Sequence, residues 1–323
     1  MEHILQSISI VIPIIFVLAF GFIAGKKKSF GTEGKPLSTL NELVLTFALP
    51  PALFVGTVTV SHQHLVQELN LFFALLVTLF IAYIVGVLVA RYCFKRNLVE
   101  SSIAGLAVSF CAGPFYGPAL LGSLYGVDSD VAVSMISVVI NVFIVPLATI
   151  IIKMTLAQEE EHKSSVIQLV GSSLYQAIFK TPFVWAPLIA FILVFLNIQM
   201  PSVVLNSLEL IGKATAGVAV FVAGMTIAAN QFKMSGEVLI ISILKNIGVP
   251  LLFIGVAIGG FAMSKHTVMF NEGLLLAALP SGPMIVLLAT RYKQYQQQAS
   301  SILAVTTVGM LITVTALIVM VNP

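Results

Sequence analysis

The sequence is poor in charge. Of 323 residues, 16 are Lys or Arg and 13 are Asp or Glu, together 9% of the chain. Soluble domains carry about 25% charged residues. With 59% of its residues hydrophobic, a chain of this length cannot cover a water-facing surface with polar groups. That excludes a cytosolic enzyme, a nucleic-acid binder and a disordered tail. Cysteine is scarce too. Cys93 and Cys111 both sit in apolar runs and read as small buried residues, not as a disulfide framework. The five histidines fall in loops or near the N-terminus, which argues against a buried histidine proton relay. There is no His-Glu-x-x-His, no Gly-x-Ser-x-Gly, no pair of intramembrane aspartates and no phosphate-binding loop. An enzyme is therefore not expected, and no cofactor is implied. Met1-Glu2-His3 lacks the basic region of a cleaved signal peptide, so the first apolar run is expected to be a retained transmembrane helix.

Long apolar runs dominate instead. A helix needs about 20 mostly apolar residues to cross a bilayer. Ten segments qualify: Ile4–Gly25, Leu37–Val60, Leu71–Ala90, Ser102–Leu121, Val131–Ile152, Pro182–Leu196, Val203–Ala229, Val238–Met263, Gly273–Thr290 and Ser300–Val321. They are continuously apolar rather than alternating, which excludes barrel strands. With both termini outside, the inner loops hold Lys26, Lys27, Lys28, Lys35, Arg91, Lys95, Arg96, Lys153, Lys163, Lys180, Lys233, Arg291 and Lys293, which is 13 of the 16 basic residues. The outer loops hold only Lys265, as the positive-inside rule requires. This places the chain in a cell membrane as a multi-pass protein. Residues 158–180 form a central inner loop. After its acidic run Glu159-Glu160-Glu161, the spacing of Val166, Ile167, Val170, Leu174, Ile178 and Phe179 suits a helix lying at the interface, or the beginning of the sixth span.

The central loop separates five spans (residues 1–157) from five spans (residues 181–323). An odd number per half inverts the second half, the plan of many secondary transporters. Equivalent spans should then be interrupted at equivalent places. The fourth span carries Gly113-Pro114 with Tyr116, Gly117 and Pro118 following, and the ninth carries Pro280, Ser281, Gly282 and Pro283. Proline removes an amide donor and clashes with the carbonyl four residues before it. Both helices are expected to open near mid-membrane, with Pro118 and Pro283 at the first positions of new helices. Exposed amides and helix dipoles at these starts favour an anion. Further polar candidates are Asn41, Asn141 and Lys213. Lys213 has two readings: it meets the bound anion, or it pairs with Glu209, four residues earlier on the same helix face. Lys245 is an intramembrane candidate as well, with snorkelling to the interface, from near the inner end of its span, as the favoured reading. Asp128-Ser129-Asp130 is expected to cap the fifth span. No buried carboxylate lies at the expected breaks, but proton or sodium coupling stays open.

Phe47-Ala48-Leu49-Pro50-Pro51-Ala52-Leu53-Phe54 looks like the signature of the auxin efflux carrier family. Ala278 to Pro283, followed by Leu288-Ala289-Thr290-Arg291-Tyr292, is similar to that family's late crossover. The resemblance runs along the whole chain. It implies an all-α, ten-helix 5+5 inverted repeat with helices four and nine broken and crossing. Helices 1, 2, 6 and 7 would form a scaffold through which two copies pair as a homodimer, and helices 3–5 and 8–10 a transport unit. It also implies a carrier of small carboxylates such as malate or malonate, as in compact bacterial members. Plant members place asparagine beside the crossover prolines, where this chain has Cys111-Ala112 and Ser281-Gly282. That departure points away from auxin, although another amphipathic anion, auxin-like or bile-acid-like and carried with or without a cation, stays the alternative.

Overall fold

The computed structural model describes residues 2–30, 35–126, 129–159, 171–172, 175, 179–229 and 233–321. Among these residues all regular structure is helical. Besides a short helix at His62–Gln67, the described helices in chain order are α1 (Glu2–Lys26), α2 (Leu37–Val58), α3 (Leu69–Cys93), α4 (Leu98–Ser109), α5 (Gly113–Tyr125), α6 (Asp130–Leu156), α7 (Pro182–Phe195), α8 (Ser202–Ala229), α9 (Gly236–Gly259), α10 (Val268–Ala278), α11 (Met284–Tyr292) and α12 (Gln296–Val321). Each of the ten apolar segments is thus occupied by helix. Seven of the helical stretches, counting α4 with α5 as one, are long and apolar enough to cross a membrane. The apolar part of α1, α7 and α10 are shorter. The expected interfacial helix over 165–180 and Asp128 lie wholly or largely outside the described residues. Cys93 differs from expectation: it is exposed at the end of α3, whereas Cys111 is buried, and both are free thiols.

Proline shapes several spans without breaking them. Helices α2, α6 and α9 each contain a π turn, at Leu43–Ala48, Val139–Ile144 and Leu244–Gly248. Pro50, Pro146 and Pro250 follow these turns two residues later. A wider i→i+5 turn relieves the clash between a proline ring and the carbonyl four residues before it. It also adds a residue to the turn and so changes which side chains face inward.

The helices pack in two sets. In one, α1 lies along α8, and α2 lies along α7 and α8. The α1–α8 seam is close: a Cβ on Gly21 would land on the Phe221 carbonyl, and one on Gly224 on the Leu18 carbonyl. Small residues permit such backbone approach where lipid supplies no hydrophobic drive between helices. In the other set, α3 packs on α4 and α9, α4 on α6, and α9 and α11 on α12. The sets meet where α2 touches α6 and α8 touches α5.

Loops expected on one side of the membrane gather together. Arg96, between α3 and α4, donates through Nε and its terminal nitrogen to the carboxylate of Glu237 at the start of α9, with a shortest distance of 2.6 Å. Tyr295, between α11 and α12, donates to the same carboxylate at 2.8 Å. Its ring lies 5.6 Å from the Arg96 guanidinium. Asn97 reaches Gln294 at 3.0 Å. The paired carboxylate holds the Arg96 pKa above its usual range, and burial, then Glu237, pushes that of the Tyr295 hydroxyl up.

Candidate functional site

Both expected breaks are present. Helix α4 stops at Ser109, Phe110 turns to extended backbone, and α5 starts at Gly113 with Pro114 in its first turn. Helix α10 stops at Ala278, Leu279 is extended, and α11 starts at Met284 with Pro283 as its N-cap. The fourth-span break therefore falls at residues 110–112, just before the Gly113-Pro114 pair. Pro118 does not begin a helix. It lies inside α5, because Pro114 already occupies the first turn, where a missing amide costs nothing.

The breaks meet. The Ala112 amide donates to the Pro280 carbonyl at 2.9 Å. The Ser281 hydroxyl donates to the Ala107 carbonyl in the last turn of α4, and the Ser281 amide donates to Thr306 Oγ1 of α12 at 3.3 Å. A Cβ on Gly282 would collide with the Phe110 ring, so only glycine lets the two unwound segments come this close. Cys111, Ala112, Pro280, Ser281 and Gly282 are all buried. Unpaired backbone would be costly at this depth, and these bonds supply the partners that each broken helix gives up.

Two connected hollows adjoin the breaks. The smaller holds about 20 Å³, room for one water. Asn41, Ala112, Tyr116, Ser281, Pro283 and Thr307 are among its walls. Tyr116 and Thr307 both face it with their side chains buried. The larger is a cavity of about 570 Å³ reaching the ends of α2, α8 and α11. Asn41, Pro114, Asn141, Thr226 and Pro283 supply polar groups or helix starts, and Leu45, Phe110, Phe115, Phe183 and Met284 supply apolar wall. Asn41, Phe115, Thr226 and Pro283 border both. Asn141 is placed by the π turn of α6 and donates to the Ser137 carbonyl at 2.8 Å.

Of the residues singled out in the sequence, Tyr116 and Ser281 therefore face the smaller hollow, Pro114 and Asn141 the larger, and Asn41 and Pro283 both. Gly113, Gly117, Pro280 and Gly282 lie buried in the backbone behind it. Lys213 is elsewhere. It sits at a turn within α8, its side chain 72% exposed, and pairs with Glu209 at 3.0 Å. The ion pair was the structural one of its two readings. Lys245 reverses its expectation. It is fully buried, its Nζ donating to Cys111 Sγ at 2.9 Å and to the Ala277 carbonyl at 3.1 Å. It lies in the π turn of α9 and points inward, where its place near the inner end of the span favoured snorkelling. Thr226, Thr306 and Thr307 were also missed; threonine in an apolar run signals little, since its hydroxyl can bond its own helix.

The family model described as "Membrane transport protein" matches residues 6–318. An uncharacterized transporter of Escherichia coli (strain K12), YfdV, is 29% identical over 304 residues, covering 94% of this chain and 93% of that one. A putative malonate transporter of Rhizobium meliloti (strain 1021) is 22% identical over 311 residues, covering 96% and 94%. With its apolar helices, two matched breaks and a match over nearly its whole length, the chain belongs to the membrane transport protein family, that of the auxin efflux carriers, and is a multi-pass membrane transporter, not an enzyme.

Proposed function

We propose that the protein carries a small organic anion, a dicarboxylate such as malonate or malate, by alternating access. The observation that carries this reading is the joining of two helix breaks at the head of a cavity. The first turns of α5 and α11 line that cavity and turn their positive dipole ends toward a bound carboxylate. Asn41, and Asn141 through its second amide N–H, offer hydrogen bonds without a competing negative charge. The similarity to a putative malonate transporter points the same way.

The packing supports an inverted repeat with α4–α5 and α10–α11 as crossing partners. Helix α11 packs on α4 and α10 on α5. The pairs α1–α8 and α2–α7 would be repeat equivalents of one another, and both are extensive. In this reading α1, α2, α7 and α8 are the scaffold and the other helices move against them. The cavity opens toward the end that bears the basic loops, so the conformation is inward-facing if those loops are cytoplasmic.

One observation favours a second substrate class. A cavity of about 570 Å³ with a mostly apolar wall exceeds what a three-carbon diacid fills, and it would suit an amphipathic monocarboxylate. Counterflow in proteoliposomes decides between them. Labelled malonate should exchange with internal malonate or malate and resist an aromatic acid such as indole-3-acetate. Saturable uptake of the aromatic acid alone would replace the first substrate with the second. No saturable uptake of either acid would sink the carrier reading.

A further inference from the structure

We propose that the Lys245 ammonium is a built-in cation at the joined breaks, that it takes the place of a separate coupling metal ion, and that it sets the charge a bound anion must answer. This rests on the anion-carrier reading above.

The argument begins with position. Helices α4 and α10 both end at the breaks, at Ser109 and Ala278. Each C-terminal end carries roughly half a negative charge. The Lys245 Nζ bonds the Ala277 carbonyl directly and reaches the other end through Cys111, whose Sγ contacts the Ser109 and Ala277 carbonyls, both at 3.7 Å. Broken-helix carriers use half-helix C-termini and unwound carbonyls to coordinate a coupling cation. Here that kind of position is filled by a side chain that has no exposure at all.

Charge balance gives the consequence. Among the described residues no carboxylate lies within 4.0 Å of Lys245. The two C-terminal ends offset about one positive charge, and the two helix starts of α5 and α11 contribute about one. Lys245 adds a full charge, so the empty site is left with roughly one positive charge in excess. A single carboxylate at the breaks neutralises it. Lys245 does not line either hollow. It acts across the unwound backbone, with Cys111 and Ala112 between, and is a positioning residue rather than a direct ligand.

The test uses the full chain in proteoliposomes with labelled malonate. For the wild type, replacing sodium by choline should leave the initial uptake rate unchanged within about twofold. Lys245→Gln keeps hydrogen-bonding capacity and removes the charge. It should raise the KM for malonate about tenfold or more, about 1.4 kcal/mol, whereas Lys245→Arg should retain most of the affinity. A purely structural role would not separate Gln from Arg by charge. A steep sodium requirement in the wild type, or a wild-type KM in Lys245→Gln, overturns the proposal. If Lys245→Gln does not fold, the choline experiment decides. A wild type that takes up no malonate in either salt defeats the malonate-carrier reading and this inference with it. Active transport with a failed sodium or Gln arm defeats this inference alone.

Discussion

Replacing Ser281 by alanine isolates the bond that ties the ninth-span break to the fourth. The Ser281 hydroxyl donates to the Ala107 carbonyl, and both residues are fully buried. Ala107 lies in the last turn of α4, and Cys111, which would return a helical amide to it, is already past the helix end. Truncation therefore leaves a buried carbonyl without that donor, at a cost of about 1–3 kcal/mol. Ser123→Ala is the matched control. Its hydroxyl also donates to a carbonyl, Ala119 at 2.6 Å, but at an exposed position. A surface change of that kind should stay within about 0.5 kcal/mol. At about 2–4 °C for each kcal/mol, thermal unfolding in detergent should fall by several degrees for Ser281→Ala and by under about 2 °C for Ser123→Ala. Malonate uptake should drop only in the former. Equal shifts for the two variants, or a wild-type melting temperature for Ser281→Ala, would refute the claim that this bond holds the breaks together.

Gly282→Ala should force the Phe110 ring aside and destabilise by about 1–3 kcal/mol, with loss of uptake, read by unfolding and transport together. Lys213→Ala should leave uptake unchanged, because Lys213 lies away from both hollows and pairs with Glu209 on its own helix; a loss of transport would restore Lys213 to the site. Burial raises the pKa of Glu68, before α3, from 4.5 to about 7. The folded state then holds its proton more tightly than the unfolded one, so this contribution to stability is full below pH 4.5 and is lost as pH rises through about 7. Melting temperature should fall over that window less steeply in Glu68→Gln than in the wild type.

Much of this was legible before any coordinates. Apolar run length placed the helices, and the Gly-Pro pairs placed both breaks, because proline and glycine act through local backbone chemistry. Asn41 and Asn141 stood out as amides in apolar runs, and both face the cavity. What was not legible depended on geometry that departs from the ideal helix. Lys245 was read as snorkelling because it lies near the inner end of its apolar run, a position that does not reveal that the ninth-span break comes down to meet it at the Ala277 carbonyl. Lys213 looked like a site residue because it interrupts a long apolar run, yet it points away from the cavity and pairs with Glu209. Pro118 looked like a helix start because sequence alone does not say which of two nearby prolines takes the first turn.

The π turns also bear on how this chain tolerates changes in length. Each one is an α-helix holding a single surplus residue, as at Leu244–Gly248. Removing one residue there would let the helix close into ordinary turns with its two ends in nearly the same relation, whereas removing one from an unbroken helix would rotate them by about 100°. Lys245 and Asn246, now both buried, would then compete for one inward direction. A one-residue deletion in this segment would therefore change which side chain faces inward while leaving the flanking turns in register.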